Sequence, residues 1–384
     1  MKFIDSSTAF EEARRAIEAS AWAAVDTEAD SLHHYSEKLS LLQISIEGED
    51  FVIDPFSAIP LGDFLLSLSE KDLIFHAADS DVRLLKKAYR FSPRRVFDTM
   101  IAAQLLGYDK IGLQSLVERH CGVKLSKTEQ KADWSERPLE EKLIRYAAND
   151  THYLKFISDA MREELRVLGR PDWHRQQCEK LLATLEALPG SGGKMEEDER
   201  AMAWQIKGAR NLKGTGLTFL KALWQWRETL AQDKDKPPFK ILNSEYLVQL
   251  AQWAQANPGM DVGEWKEAPR NVRNEHRAAL NAILARATSL PQAILEVSAK
   301  TRPKVRWTDK ETKILGDLKT ARDKHAAELA ILPSLIATNF VLETLATQKP
   351  KDRQMLAATE TMLPWQMDVT GEDFLKVLQG PNVL

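Results

Sequence analysis

The sequence predicts an α/β layer domain followed by two small all-α domains of one shared fold. Three observations carry this. Strand and helix signals alternate through the first 160 residues, strand signals cease after Gly169, and the remaining half matches itself when displaced by 95 positions.

Taken in order, Trp22–Asp26 is a short apolar run ending in a carboxylate. Leu39–Ile46 is rich in Leu and Ile, Phe51–Asp54 is closed by Pro55, and Leu73–His76 is a fourth strand signal. From Asp81 to about Tyr89 the pattern is helical, with Val82, Leu84, Leu85 and Ala88 on the apolar side. Thr99–Leu106 and Leu113–His120 read as further helices, and Pro138 opens a long helix ending near Leu168 and Gly169. Strands mixed with helices imply helices packed against a central sheet. Residues 172–188 read as a helix, and Pro189–Lys194 followed by the acidic run Glu196–Glu199 reads as a linker. The expected division is 1–170, 171–199 (helix and linker), 200–292 and 300–384.

The repeat needs no gap. Leu220 falls on Leu315, Leu223 on Leu318, Arg227 on Arg322, Ala231 on Ala326, Pro238 on Pro333 and Ile241 on Ile336. Leu247, Leu250 and Ala251 fall on Leu342, Leu345 and Ala346, and Pro269 and Leu280 on Pro364 and Leu375. A shared Arg-to-Pro spacing inside a leucine pattern implies two copies of one helical domain.

The 384 residues are 43% hydrophobic and 28% charged, an ordinary globular composition. No run of about 18 apolar residues occurs, and the opening MKFIDSSTAFEEARR lacks a signal-peptide core, so no membrane role and a cytoplasmic location are expected. The two cysteines, Cys121 and Cys178, have no metal-ligand spacing and fit a reducing compartment. Residues 1–160 hold 27 acids and 20 bases, the rest 29 acids and 33 bases. An acidic module joined to a mildly basic one suits work on a polyanion.

The acids include Asp26 and Glu28 in Trp-Ala-Ala-Val-Asp-Thr-Glu, Asp81 in His-Ala-Ala-Asp-Ser-Asp, and Asp150 in Tyr-Ala-Ala-Asn-Asp. Asp-x-Glu at a strand end puts two carboxylates on one face. Tyr146 and Asp150, four apart on a helix, share a face. Carboxylates are ligands of hard divalent cations, and four converging could hold two such ions, which clamp both sides of an in-line attack on a phosphodiester.

In these residues, their order and their element types, the chain resembles the DEDD exonuclease superfamily and, within it, the bacterial ribonuclease D family. Tyr146 stands four before the last Asp and Arg145 five before it, as in the tyrosine rather than the histidine subgroup. Ser40–Ser45, Phe97–Gly107 and Leu125–Leu139 also fit the family, and the paired helical domains resemble its HRDC modules. The resemblance implies a ribonuclease H-like exonuclease domain followed by two HRDC-type domains, and a 3′–5′ exoribonuclease that releases nucleoside 5′-monophosphates. It implies two divalent ions, Mg²⁺ or Mn²⁺. Asp26, Glu28 and Asp150 would hold one, and Asp26 and Asp81 the second, with Tyr146 orienting the attacking water. RNA, in particular tRNA precursors with 3′ extensions, is the implied partner, and no protein partner is inferable. The competing expectations are a DNA 3′-end exonuclease and a non-catalytic nucleic-acid-binding protein, the latter disfavoured because all four carboxylates are present.

Further residues carry two readings each. His33, His34 and Tyr35 follow the first motif, where they contact the terminal nucleotide or simply form a loop. Gln130 and Trp134 contact the last base, an aromatic face being a stacking platform, or Trp134 packs in the core. Asp79 competes with Asp81 as ligand, the family pattern favouring Asp81, and Asp98 reads as structural. Arg83, Lys86, Lys87, Arg90, Arg94 and Arg95 form either a solvated face or a guide for phosphates. Ile206–Gly214, basic and glycine-containing, reads as an interaction edge, and Trp224, Trp226, Trp253 and Trp265 read as helical core in preference to a base-stacking platform.

Overall fold

One mixed sheet organises the N-terminal part of the computed structural model, which describes residues 1–187, 201–295 and 307–380. Its strands are β1 (Lys2–Ile4), β2 (Trp22–Ala29), β3 (Leu39–Ile46), β4 (Glu49–Ile53), β5 (Asp72–Phe75) and β6 (Arg95–Asp98), in the spatial order β1-β4-β3-β2-β5-β6. β3 and β4 are antiparallel, while β2, β5 and β6 run parallel. All eight residues of β3 are buried. It is covered on both faces, which explains why its Leu and Ile residues fall on both sides of the strand and why Ser40, Gln43 and Ser45 are buried with them.

The helices are α1 (Ser7–Ala19), α2 (Leu61–Leu68), α3 (Asp79–Tyr89), α4 (Thr99–Leu105), α5 (Leu113–Cys121), α6 (Glu141–His152), α7 (Leu154–Val167) and α8 (Pro171–Glu186). The single long helix expected from Pro138 is two helices, α6 and α7. Tyr153 breaks it, its N–H turning to the Thr151 carbonyl instead of continuing the α ladder. The first turn is also shorter than expected. Arg137 is fastened to Asp54 at 2.7 and 2.8 Å and to the Ser40 carbonyl at 2.9 Å, which keeps the Pro138 segment in a loop.

The repeat recurs element for element. Pro238–Ile241 and Pro333–Ile336 are both four-residue helices, and Ser244 and Asn339 both start the next one. Arg227 donates to the Leu242 carbonyl and to Ser244 Oγ. Arg322, 95 residues on, donates to the Ala337 carbonyl and to Asn339 Oδ1, each also 95 residues on. Both arginines thereby close the same corner between helices, so the matched Arg-to-Pro spacing records a clasp. The copies part at the end: the first has Arg270–Arg273 and Arg277–Ala287, the second one continuous helix, Pro364–Gln379.

The chain forms two compact units. One comprises Met1–Glu28, Leu39–Ser191 and Lys304–Leu384, the other Ala29–Lys38 and Gly192–Pro303. Within the first, the second helical copy shares a core with the sheet domain. Leu318, Trp365 and Phe374 belong to the cluster that contains Ile74, Phe97, Leu105 and Met161. Trp173 of α8 stacks on Trp365 with ring centroids 4.5 Å apart, and buried Arg170 donates to the Leu105 and Leu329 carbonyls. A Cβ on Gly107 would lie 2.1 Å from the Ala330 carbonyl oxygen, so only glycine permits this approach. The other unit has its own core around Leu220, Leu223, Leu250 and Val262, with Trp224, Trp226, Trp253 and Trp265 packed into or against it. The linker expected at 189–199 lies outside the described residues.

Candidate active site

Strand β2 carries both Asp26 and Glu28, two residues apart and hence on one face. It runs three residues beyond the expected end at Asp26, so both carboxylates are held by sheet backbone. Helix α6 brings Asp150 to them. One ligand oxygen each of Asp26, Glu28 and Asp150 lies within 4.8 Å of the others. Asp81 stands on the first turn of α3, buried to 4% exposure. It is not within that three-residue group. It is tied to the same strand instead: its Oδ1 accepts from the Thr27 N–H at 3.0 Å and from the Thr27 hydroxyl at 2.6 Å.

The electrostatics follow from this crowding. Burial first, then Asp81, Asp150 and Glu28, push the Asp26 carboxyl far above the usual range. Burial and the neighbouring Asp150 and Asp81 raise Glu28 to about 9. Burial raises Asp150 to about 7, with Asp81 adding to it. Asp81 rises only to about 6, because the Thr27 hydrogen bonds oppose its burial. Among the described residues no lysine or arginine forms an ion pair with any of the four. An all-oxygen donor set whose members repel one another, with no internal cation, fits hard divalent ions.

Tyr146, one turn before Asp150, is 9% exposed, its ring 6.0 Å from that of Trp134. Burial, then Asp150, Glu28 and Asp26, raise its hydroxyl well above the usual phenol value, so it stays protonated through neutral pH. Tyr146, Asp150, Asn149 and Glu129 line a recess of about 200 Å³ beside the carboxylates.

The other candidates are more dispersed. Trp134 is 2% exposed in a cluster with Leu41, Val52 and Tyr146, which leaves no ring face for a base to stack on; it packs. Gln130 is exposed on a turn. His34 and Tyr35 belong to the second unit. There His34 Nδ1 lies 2.8 Å from Asp235 Oδ2, the Tyr35 N–H donates to Asp235, and the Tyr35 hydroxyl reaches Glu228 at 3.4 Å. Asp79 is paired with exposed Arg83 at 2.7 Å, away from the buried position of Asp81. In the basic cluster, Arg94 pairs with Glu70, Arg95 with Asp72, and Lys86 donates to the carbonyls ending α8, so much of its charge is neutralised.

Two positioning residues escaped sequence reasoning in part. Thr27 passed as the spacer of Asp-x-Glu, although its hydroxyl holds Asp81. Asp98 was legible as structural, but its reach was not. It caps α4 through Met100 and Ile101 and also accepts from the N–H groups of Ala77 and Ala78. Ala77 has φ +63°, a left-handed turn costing about 1 kcal/mol for a residue with a Cβ. Asp98 holds that turn, and the turn delivers α3 and Asp81 to the strand.

Residues 1–166 match the 3′–5′ exonuclease domain family, and 217–259 and 311–378 match the HRDC domain family. The chain is 30% identical to ribonuclease D of Sphingobium indicum over 94% of its own length and 90% of that protein. The chain belongs to the ribonuclease D family. It is 31% identical to ribonuclease D of Xanthomonas oryzae pv. oryzae over 85% of its length and 86% of that protein. Its fold matches the crystal structure of Escherichia coli RNase D with a TM-score of 0.67 at 22% identity, covering 98% of each chain. The two HRDC matches fall within the two copies of the repeat, and a DEDD-type exonuclease domain implies divalent metal ions, with which the Asp26–Glu28–Asp150 cluster is consistent.

Proposed function

We propose that this chain removes nucleotides one at a time from the 3′ end of RNA, with Asp26, Glu28, Asp81 and Asp150 holding two divalent ions and Tyr146 assisting. The observation that carries the reading is the convergence of uncompensated carboxylates on the strand and helix that the exonuclease family model spans. Asp26, Glu28 and Asp150 would bind one ion. Asp26 and Asp81 would share the second, with Thr27 fixing the Asp81 oxygen that it hydrogen-bonds. When bound, divalent ions lower the pKa of water and neutralise charge on phosphate oxygens. Tyr146 keeps its proton through neutral pH, so its hydroxyl donates a hydrogen bond and orients water rather than acting as a base. No serine, cysteine or histidine is needed as nucleophile.

The family membership supports RNA as the substrate, and the E. coli relative is described as an exoribonuclease involved in structured RNA processing. We extend this to tRNA precursors carrying 3′ extensions, and to a cytoplasmic setting; among the described residues no helix is long and apolar enough to cross a membrane. The experiment is digestion of matched RNA and DNA, each labelled at the 5′ or the 3′ end, with Mg²⁺, with Mn²⁺ and with excess EDTA. We expect a stepwise ladder from the 3′ end of RNA, dependent on either ion. Undiminished digestion in EDTA, or a clear preference for DNA, would overturn the reading.

A further inference from the structure

A cavity of about 600 Å³ opens at the start of β5 and β6, walled by α7 and α8. β2, β5 and β6 are parallel, and the register pairs Trp22 with Asp72 and Asp72 with Arg95. The cavity therefore sits at the level of Trp22, about 13 Å of strand before Asp26. It is at the opposite end of the sheet from the carboxylates, and none of them lines it.

Its chemistry is two-sided. Leu73, Val96, Leu165 and Leu182 provide an apolar wall, continued by the Phe97 ring and by His174, whose ring centroid is 4.2 Å from that of Phe97. Five arginines, Arg94, Arg95, Arg162, Arg166 and Arg175, supply most of the polar side and outnumber the two carboxylates that also line it, Asp72 and Glu179. Four are in ion pairs, with Glu70, Asp72, Glu163, and Asp172 and Glu179 respectively. These are exposed pairs, of the kind worth about 0–1 kcal/mol, so a competing anion can recruit the guanidiniums cheaply. Arg162 differs. Its guanidinium lies over the Phe97 ring at 4.0 Å and, among the described residues, forms no ion pair. Asp159 and Asp72 are near enough to act on it through space but are not paired with it. A planar guanidinium with no direct carboxylate partner, in a cavity of ligand size, is a fork for a phosphate.

We propose that this cavity is a second ligand site that binds a free nucleoside monophosphate, its phosphate on Arg162 with Arg166 and Arg175 at the rim, and its flat base against the Leu73–Val96–Leu165 wall. A nucleoside monophosphate combines the two chemistries the cavity offers, one compact dianion and one flat, largely apolar ring. The site is separate from the carboxylate cluster, so occupancy does not require a divalent ion.

The test is calorimetric titration of the full chain with AMP in EDTA, where no divalent ion is available to hold a phosphate at the carboxylate cluster, beside inorganic phosphate and a 3′-blocked oligonucleotide. We expect AMP to bind, inorganic phosphate to bind at least 10-fold more weakly, and Arg162→Gln to weaken AMP at least 10-fold. Arg162→Lys, which keeps the charge and loses the fork, should be intermediate. Digestion of a short RNA by Arg162→Gln in Mg²⁺ should match the parent. Arg175→Gln, an exposed rim change, gives the same readout should Arg162→Gln melt early. Three results would overturn the assignment: no AMP binding in EDTA, AMP binding indifferent to both variants, or Arg162-dependent binding of the oligonucleotide without binding of AMP.

Discussion

Replacing Glu28 with Gln removes one charge from the carboxylate cluster and keeps its shape. Glu28 titrates near 9 in the folded protein against an ordinary value of 4.5, because of burial and the neighbouring Asp150 and Asp81. The sign follows from which state holds the proton. Below pH 4.5 the group is protonated folded and unfolded, and it contributes nothing to pH dependence. Between 4.5 and 9 the folded state must keep a proton that the unfolded state releases, so stability falls as pH rises. At pH 7 the penalty is about 3 kcal/mol at about 1.4 kcal/mol per unit. Water at the partly exposed site screens it, and we expect about 2 kcal/mol. The metal-free Glu28→Gln protein should therefore melt about 4 °C above the parent at pH 7, with the gap closing at pH 4.5. Mg²⁺ should reverse the order: the parent gains about 2.7 kcal/mol at 100 times its dissociation constant, and the variant gains less. The assay is a set of thermal melts from pH 4.5 to 9 in EDTA and in Mg²⁺, beside exonuclease rates. A variant no more stable than the parent in EDTA at pH 7 and 8 would refute the argument that these carboxylates oppose one another.

Four further outcomes follow from the same geometry. Tyr146→Phe should slow single-turnover cleavage on the order of 10²-fold with little change in melting temperature; a normal rate with an early melt would make the hydroxyl structural. Thr27→Val removes the 2.6 Å bond to Asp81 and should cost about 1–2 kcal/mol and much of the activity, both recovered by Thr27→Ser; failure of serine to rescue would discount the hydroxyl. Gly107→Ala should destabilise the first unit by several kcal/mol through its clash with Ala330, and removing residues 304–384 should unfold the sheet domain; a truncated protein melting like the parent would show the shared core to be dispensable.

The parts legible in the sequence were those encoded locally. Asp26, Glu28, Asp81, Tyr146 and Asp150 stand in short motifs whose elements were readable, and the 95-residue displacement survives to the level of Arg227 and Arg322 hydrogen-bonding equivalent carbonyls. What escaped depended on distant partners or short runs. β1 has three residues, too few for a period to show, and β6 opens on Arg95 and offers only Val96 and Phe97 as apolar residues. α1 and α2 were passed over although each has a buried face. Tyr153 carries no breaker signature, so the division of α6 from α7 was invisible. Thr27 and Asp98 act across 54 and about 20 residues, a reach that no window of sequence displays. The shared core of the sheet domain and second HRDC copy likewise arises from residues more than 200 apart.

That shared core sets an order of events during synthesis. Asp150, the last of the four clustered carboxylates, leaves the ribosome well before Trp365 and Phe374, which are buried against the sheet domain. At about 5–20 residues per second the interval is roughly 10–45 s. Through that time the sheet domain has its carboxylates but not its full packing. The protein thus reaches its full packing only after the helix that carries Trp365 and Phe374 has been made.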